Sequence, residues 1–124
     1  MGFERWVWLG VFLLGALGIL AARDAGEKDP LLEEGRALYL RACAACHGPG
    51  GEGGIGPALR QNPRLGSVAG LREVILGGRE PYMPPVGAEF TPRELAAVIS
   101  YLRAALGPGL SPVSEEEVSG PARP

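Results

Sequence analysis

Three residues with reactive side chains stand close together in the first half of the chain: Cys43, Cys46 and His47, in the string Cys-Ala-Ala-Cys-His. On a helix, residues three and four positions apart lie on one face. One short helical turn can therefore present two thiols and an imidazole to the same partner. A C-x-x-C-H string is the attachment site of a c-type haem. The two thiols form thioethers to the porphyrin, and the adjacent imidazole becomes an axial ligand of the iron.

A bare C-x-x-C pair also occurs in zinc sites, redox dithiols and disulfides. A structural zinc site needs four Cys or His ligands, whereas the whole chain has two cysteines and one histidine. A thioredoxin-like dithiol requires a surrounding βαβ pattern, and no strand alternation flanks this motif. With one such motif and one histidine, we predict a single haem per chain.

The composition indicates one small domain of a near-neutral protein. The chain has 124 residues and a formal net charge of −2, and this near-neutral balance gives no sign of the strongly basic character that nucleic-acid binding requires. Between positions 60 and 79, four arginines outnumber the single acid, Glu73; they are Arg60, Arg64, Arg72 and Arg79. They either form a basic surface that steers an acidic partner or are ordinary scattered charge.

An uncharged run from Trp6 to Ala22 lies near the N-terminus, bounded by Arg5 and Arg23. Its length is at the short end of what a helix needs to cross a bilayer, and its tryptophans stand where interfacial aromatics usually lie. Cleavage of a secretory signal requires small residues just before the cut, and such residues are poorly placed at the end of this run. We therefore predict a retained transmembrane anchor, with a cleaved secretory signal as the alternative.

Three helices are predicted, each with a start signal and a stop signal. Asp29-Pro30 opens the first, which should run to about the haem motif and stop at Gly48-Pro49. Ser67 caps the second, which Gly77-Gly78 stops. The capping box Thr91-Pro92-Arg93-Glu94 opens the third, which ends at Gly107-Pro108. No strand pattern accompanies them, so the predicted fold class is all-α.

The chain divides into three parts on this pattern. Residues 1–26 form the anchor and a short linker, residues 27–107 the haem domain, and residues 108–124 a disordered tail rich in proline and glutamate. Within the domain, six of the nine residues 48–56 are glycine, which favours backbone wrapped closely against the flat haem. About eighty residues with three short helices make a marginal core. The fold is therefore expected to depend on a buried haem.

A second axial ligand is needed if the iron only carries electrons, and a methionine opposite His raises the reduction potential. The chain has two methionines, and Met1 is the initiator. With no second histidine, Met83 is the one thioether available, in the proline-stiffened string Tyr82-Met83-Pro84-Pro85. Single methionines usually fill cores, but this loop has few hydrophobic neighbours, so we predict that Met83 is the ligand.

With these motifs the chain resembles the class I, mono-haem cytochromes c of the bacterial small-domain type. The resemblance covers about Leu32 to Leu106. It is carried by the strings at 43–48, 53–59 and 82–85 and by a last helix that contains Tyr101-Leu102. It implies a cytochrome c fold of three main helices around one covalently bound haem, preceded here by the N-terminal transmembrane helix. In such a fold Gly35 and Tyr39 of the first helix cross Tyr101 of the last.

The resemblance also implies a set of site residues. Cys43 and Cys46 would carry the thioethers, and His47 and Met83 would ligate the iron of one haem c. The backbone carbonyl of Pro57 would accept the ring proton of His47 and so fix the imidazole. No catalytic residue is expected, because the protein would carry electrons and would not be an enzyme.

The function expected from these features is a membrane-tethered carrier of single electrons between respiratory complexes. Its haem domain would lie on the periplasmic face of the inner membrane. Expected partners are a cytochrome bc complex as donor and a terminal oxidase or other periplasmic oxidoreductase as acceptor, met in brief, weak encounters. The alternative is an electron-relay subunit of a larger oxidoreductase. A haem gas sensor or enzyme is a third hypothesis, disfavoured because no second His lies near Met83.

Overall fold

A computed structural model describes residues 28–120 of the chain. Its helices are, in chain order, α1 Pro30–Ala42, α2 Ala44–His47, a 3-10 helix Pro63–Gly66, α3 Val68–Gly77, α4 Pro92–Tyr101, a π-helix Leu102–Leu106 that continues α4, and α5 Glu115–Ser119. Across these residues the β-type pairing is one isolated antiparallel bridge, between Arg79 and Met83. The predicted all-α fold with three main helices, α1, α3 and α4, is confirmed.

The three main helices begin where their capping residues predict. The Asp29 carboxylate accepts a hydrogen bond from the Leu31 amide at 2.9 Å, and the Ser67 hydroxyl accepts one from Gly70 at 3.0 Å. At the start of α4, Thr91 and Glu94 form the complete capping box, with hydrogen bonds of 2.9 and 3.2 Å. These side chains satisfy amides that the first turn of each helix leaves without a partner.

Helix α1 crosses α4 at the centre of the core. A Cβ at Gly35 would overlap the Ala97 carbonyl oxygen and lie 2.8 Å from the Tyr101 Cβ, so only glycine lets the two backbones come this close. One turn later, the rings of Tyr39 and Tyr101 pack at a centroid distance of 5.5 Å. The predicted crossing of the first and last helices is confirmed, and it supports the end of α1 that leads into the Cys–His motif.

The segment after α4 corrects the prediction of a disordered tail at 108–124. The Ser100 hydroxyl accepts a hydrogen bond from the Val113 amide at 2.9 Å and so holds this segment against α4. A second capping box, Ser114 with Glu117, opens α5, and Val118 is buried to 1% exposure. The tail prediction is wrong for residues 113–119, because two buried valines offset the effect of the prolines and the acidic run.

The predicted anchor, Trp6 to Ala22, lies outside the described residues. Among the helices at 28–120, none combines the length and the apolar character needed to span a bilayer.

Candidate haem site

The Cys–His motif occupies a bend at the end of α1. The first helix was expected to run on to Gly48-Pro49, but it ends at Ala42, and Cys43 takes a non-helical conformation with φ −121°. Hydrogen bonding continues across the bend, from the Cys43 amide to the Tyr39 carbonyl at 2.9 Å and from the His47 amide to the Cys43 carbonyl at 3.0 Å. The short helix α2 therefore stays attached to α1, and it carries Cys46 and His47 close to Cys43.

The two thiols have different surroundings. Cys43 is buried and belongs to the hydrophobic core, whereas Cys46 is exposed, and neither forms a disulfide. Burial, with a smaller contribution from the Cys46 thiol, raises the pKa of Cys43 to about 11. Cys43 is therefore an enclosed, neutral thiol, whereas Cys46 is open to solvent.

The imidazole of His47 is held in one orientation. The ring is 8% exposed, and its Nδ1 lies 2.8 Å from the Pro57 carbonyl oxygen. A carbonyl can only accept, so Nδ1 carries a proton and donates it, which leaves the lone pair of the neutral ring on Nε2. A Cβ at Gly56 would lie 3.0 Å from the His47 Cε1, so the loop backbone also packs against the ring. This arrangement fits an axial metal ligand.

The glycine-rich segment 48–56 folds back onto the motif through its backbone. The Gly53 amide donates to the His47 carbonyl at 2.7 Å, and the Gly56 amide donates to the Cys46 carbonyl at 2.8 Å. Gly53 has φ +93°, and a Cβ there would lie 3.0 Å from the Ala58 nitrogen. A larger side chain at Gly53 would therefore press on Ala58, the residue next to Pro57, whose carbonyl accepts the His47 hydrogen bond.

Tyr39 contributes a buried hydroxyl that the sequence analysis did not identify. Its side chain is fully buried, and its hydroxyl donates to the Gly48 carbonyl at 2.6 Å, one residue after His47. Burial, followed by the nearby Cys43 thiol, raises the pKa of Tyr39 to about 12. A signal was present, since Tyr39 lies four residues before Cys43 and therefore on its helical face.

Met83 lies on a different part of the fold, the loop that follows α3. Its backbone pairs with Arg79: the Arg79 amide donates to the Met83 carbonyl at 2.8 Å, and the Met83 amide donates to the Arg79 carbonyl at 2.9 Å. The Met83 side chain is half-buried and lies outside the hydrophobic core cluster. Met83 therefore does not fill the core, in agreement with the sequence analysis.

The structure thus brings together Cys43, Cys46, His47 and Pro57, and it holds Met83 on a separate loop at the end of α3. In the described part of the chain, no three His, Cys, Asp or Glu side chains are grouped so that they could hold a metal ion. The donor set that remains, two thiols, an imidazole with a free Nε2 and a thioether, has the chemistry that a covalently attached haem requires.

Comparison with known proteins gives the same assignment. The family model described as "Cytochrome C oxidase, cbb3-type, subunit III" matches residues 30–102. The chain is 34% identical over 76 residues to Cytochrome c-L of Methylorubrum extorquens, covering 58% of this chain and 39% of that protein. It is 37% identical over 84 residues to the Cbb3-type cytochrome c oxidase subunit CcoP of Rubrivivax gelatinosus, covering 64% of this chain and 28% of that protein.

Among solved structures, the chain is similar to Cytochrome CL of the marine methylotroph Methylophaga aminisulfidivorans. The TM-score is 0.57 at 32% sequence identity, over 64% of this chain and 57% of that one. The chain spans well under half the length of the two curated relatives named above. The family model covers more than half of the chain, together with the Cys–His motif and Met83. The chain therefore belongs to this family and is a class I, mono-haem cytochrome c that carries one covalently bound haem c with its iron.

Proposed function

We propose that this protein carries single electrons through a haem bound by thioethers to Cys43 and Cys46 and ligated by His47 and Met83. The observation that carries the proposal is the His47 ring. It is nearly buried, its Nδ1 donates to the Pro57 carbonyl at 2.8 Å, and its Nε2 therefore keeps a free lone pair. The haem supplies one-electron chemistry between ferric and ferrous iron.

The role of Met83 is supported by its surroundings. Its backbone is fixed on both sides by the pairing with Arg79, while its thioether is absent from the core cluster. Met83 would hold the iron through its thioether together with His47, and a thioether paired with a histidine raises the reduction potential. An iron held by both side chains would change its surroundings little on reduction, which would suit rapid electron transfer.

The setting we propose is the outer face of the cytoplasmic membrane, with residues 1–26 as anchor and linker and the haem domain beginning at about residue 27. The donor would be a cytochrome bc complex, and the acceptor a terminal oxidase or another periplasmic oxidoreductase. A second candidate is an electron-relay subunit of a larger complex. It is favoured by the relative CcoP, which is named as an oxidase subunit and of which this chain covers 28%.

Covalent haem attachment tests the proposal directly. The full chain is produced in a host that matures c-type cytochromes, and its mass is measured after acid–acetone extraction. We expect the mass of the chain plus one haem, and reversible one-electron reduction of the native protein. The matched control replaces both Cys43 and Cys46 by serine, which should give colourless protein after extraction. Recovery of only the bare polypeptide mass from the unaltered chain would contradict the proposal.

A second experiment separates the free-standing carrier from the relay subunit. The native protein is solubilised from membranes in mild detergent and passed over a sizing column. A free-standing carrier elutes at the size of one chain with its detergent. Stable co-elution with other redox subunits, in stoichiometric amounts, would favour the relay subunit over the mobile carrier.

A further inference from the structure

Gly78, the residue directly after α3, lies against the backbone of Met83. Its φ of +70° and ψ of −172° fall in a region that essentially only glycine occupies. A Cβ at this position would lie 2.5 Å from the Met83 carbonyl oxygen and 2.9 Å from the Pro84 carbonyl carbon and the Pro85 nitrogen. All three neighbours are backbone atoms, so they cannot turn aside as the end of a flexible side chain would.

The other end of the same loop is also fixed on α3. The Gly87 amide donates to the Ile75 carbonyl at 2.8 Å, and a Cβ at Gly87 would overlap the Ile75 Cγ2 atom. Between these two points stands the Arg79–Met83 backbone pair. The loop that carries Met83 is therefore held against the end of α3, at Gly78 by backbone atoms and at Gly87 by the Ile75 side chain, and neither position has space for a methyl group.

We infer that Gly78 is a positioning residue for the Met83 sulfur, with Gly87 assisting at the far end of the loop. This inference rests on the proposed ligation of iron by Met83. The Met83 carbonyl oxygen lies where a side chain at residue 78 would have to stand. The Met83 backbone can therefore take this position only because Gly78 has no Cβ. A bond to iron has a fixed length and direction, so a displaced Met83 backbone strains or breaks it.

The test compares Gly78→Ala with Gly77→Ala in the haem-loaded full chain. Gly77 is the matched control, because it is the preceding residue, its φ is not positive, and nothing lies within 4 Å of its built Cβ. In Gly78→Ala we expect the sulfur-to-iron charge-transfer band to weaken and the reduction potential to fall. The affinity of the ferric protein for added imidazole should rise by about tenfold, because strain at a left-handed alanine populates the Met83-detached state. Gly77→Ala should leave all three unchanged.

A merely structural effect is distinguished by Val118→Ala, which destabilises the fold on α5, away from the Met83 loop. The inference requires a normal charge-transfer band in folded Val118→Ala protein. An equal loss of the band in Val118→Ala and Gly78→Ala would overturn it, as would identical behaviour of Gly78→Ala and Gly77→Ala. If Gly78→Ala yields no holoprotein, Gly87→Ala decides: a weakened band supports the inference, and an unchanged band overturns it. A missing band in the unaltered protein would instead refute the ligation by Met83 on which the inference rests.

Discussion

The two sides of the proposed iron site are built in different ways. On the His47 side, backbone and side-chain hydrogen bonds converge on a few consecutive residues. The imidazole is buried beside the loop at Gly56 and Pro57, and Tyr39 is buried at the α1–α4 crossing. On the Met83 side, an exposed loop is fixed at its ends by backbone contacts, and Tyr82, next to Met83, is 91% exposed. Buried, densely bonded segments open at higher free energy than exposed loops. Changes in iron ligation should therefore begin at Met83.

The largest expected effect on the spectrum and the reduction potential of the holoprotein comes from removing Met83, the proposed ligand on the exposed loop. Met83→Ala should keep the covalent haem but lose the sulfur-to-iron charge-transfer band. Its reduction potential should fall by on the order of 0.1–0.2 V, a fraction of the span over which axial ligands tune haem iron. Redox titration and a near-infrared spectrum measure both. His47→Ala provides the comparison and should give little holoprotein. If Met83→Ala keeps both the band and the potential, another residue ligates the iron.

High pH should destabilise the His47 side through Tyr39. Burial raises the pKa of Tyr39 to about 12, against about 10 in the unfolded chain. The folded state favours the neutral phenol, so this contribution to stability is complete below pH 10 and is lost as the pH rises from 10 to 12. The total loss is about 3 kcal/mol, measured by urea unfolding at each pH. In Tyr39→Phe, which cannot ionise, the decline over this range should be smaller by that amount; equal declines would contradict this account.

The C-terminal segment should stabilise the fold as a whole without changing the iron ligands on either side. Val118→Ala removes buried methyl groups from α5 and should cost about 2 kcal/mol of unfolding free energy, measured by thermal or denaturant unfolding. Exposed Val→Ala changes cost far less. A loss below roughly 0.5 kcal/mol would mean that α5 does not pack against α4 in solution.

The smallest expected effect concerns surface charge beside the Met83 loop. Arg79 is exposed within this loop, and Arg72 is half-buried on α3. Reversing both to glutamate should slow electron transfer to an acidic redox partner by roughly fivefold at low ionic strength and hardly at all at high salt. Stopped-flow kinetics at several salt concentrations measures this. The same reversal at Arg36 and Arg41, exposed on α1, is the control; an equal effect there would exclude local steering.

The sequence was most informative where a side chain interacts with its own near neighbours in the chain. The Asp29, Ser67 and Thr91 caps predicted the starts of the three main helices, because each side chain bonds an amide within its own first turn. The spacing of Cys43, Cys46 and His47 likewise predicted that these side chains lie close together, because they are near neighbours in the sequence. The ring contact with Pro57 came from the family resemblance, since a carbonyl ten residues away leaves no signal in residue type.

The C-terminal helix was missed although its signals were present. Ser114 and Glu117 have capping-box spacing, and Val113 and Val118 flank them at the positions of a hydrophobic staple. Proline and glutamate content suggested disorder instead. The segment is ordered because it packs on α4, where Val113 and the Ser100 side chain are joined by hydrogen bonds. Such long-range packing cannot be inferred from composition.

We expect the crossing of α1 and α4 at Gly35 to close after the haem has been attached. Residues 35 and 97 are far apart in the sequence, and contacts between such distant parts of a chain are slow to form. Until Ala97 has reached Gly35, the core to which Cys43 belongs is not closed, so both thiols are open to the machinery that joins haem to them. The thioether bonds can then be completed first, and closure of the crossing seals Cys43 afterwards.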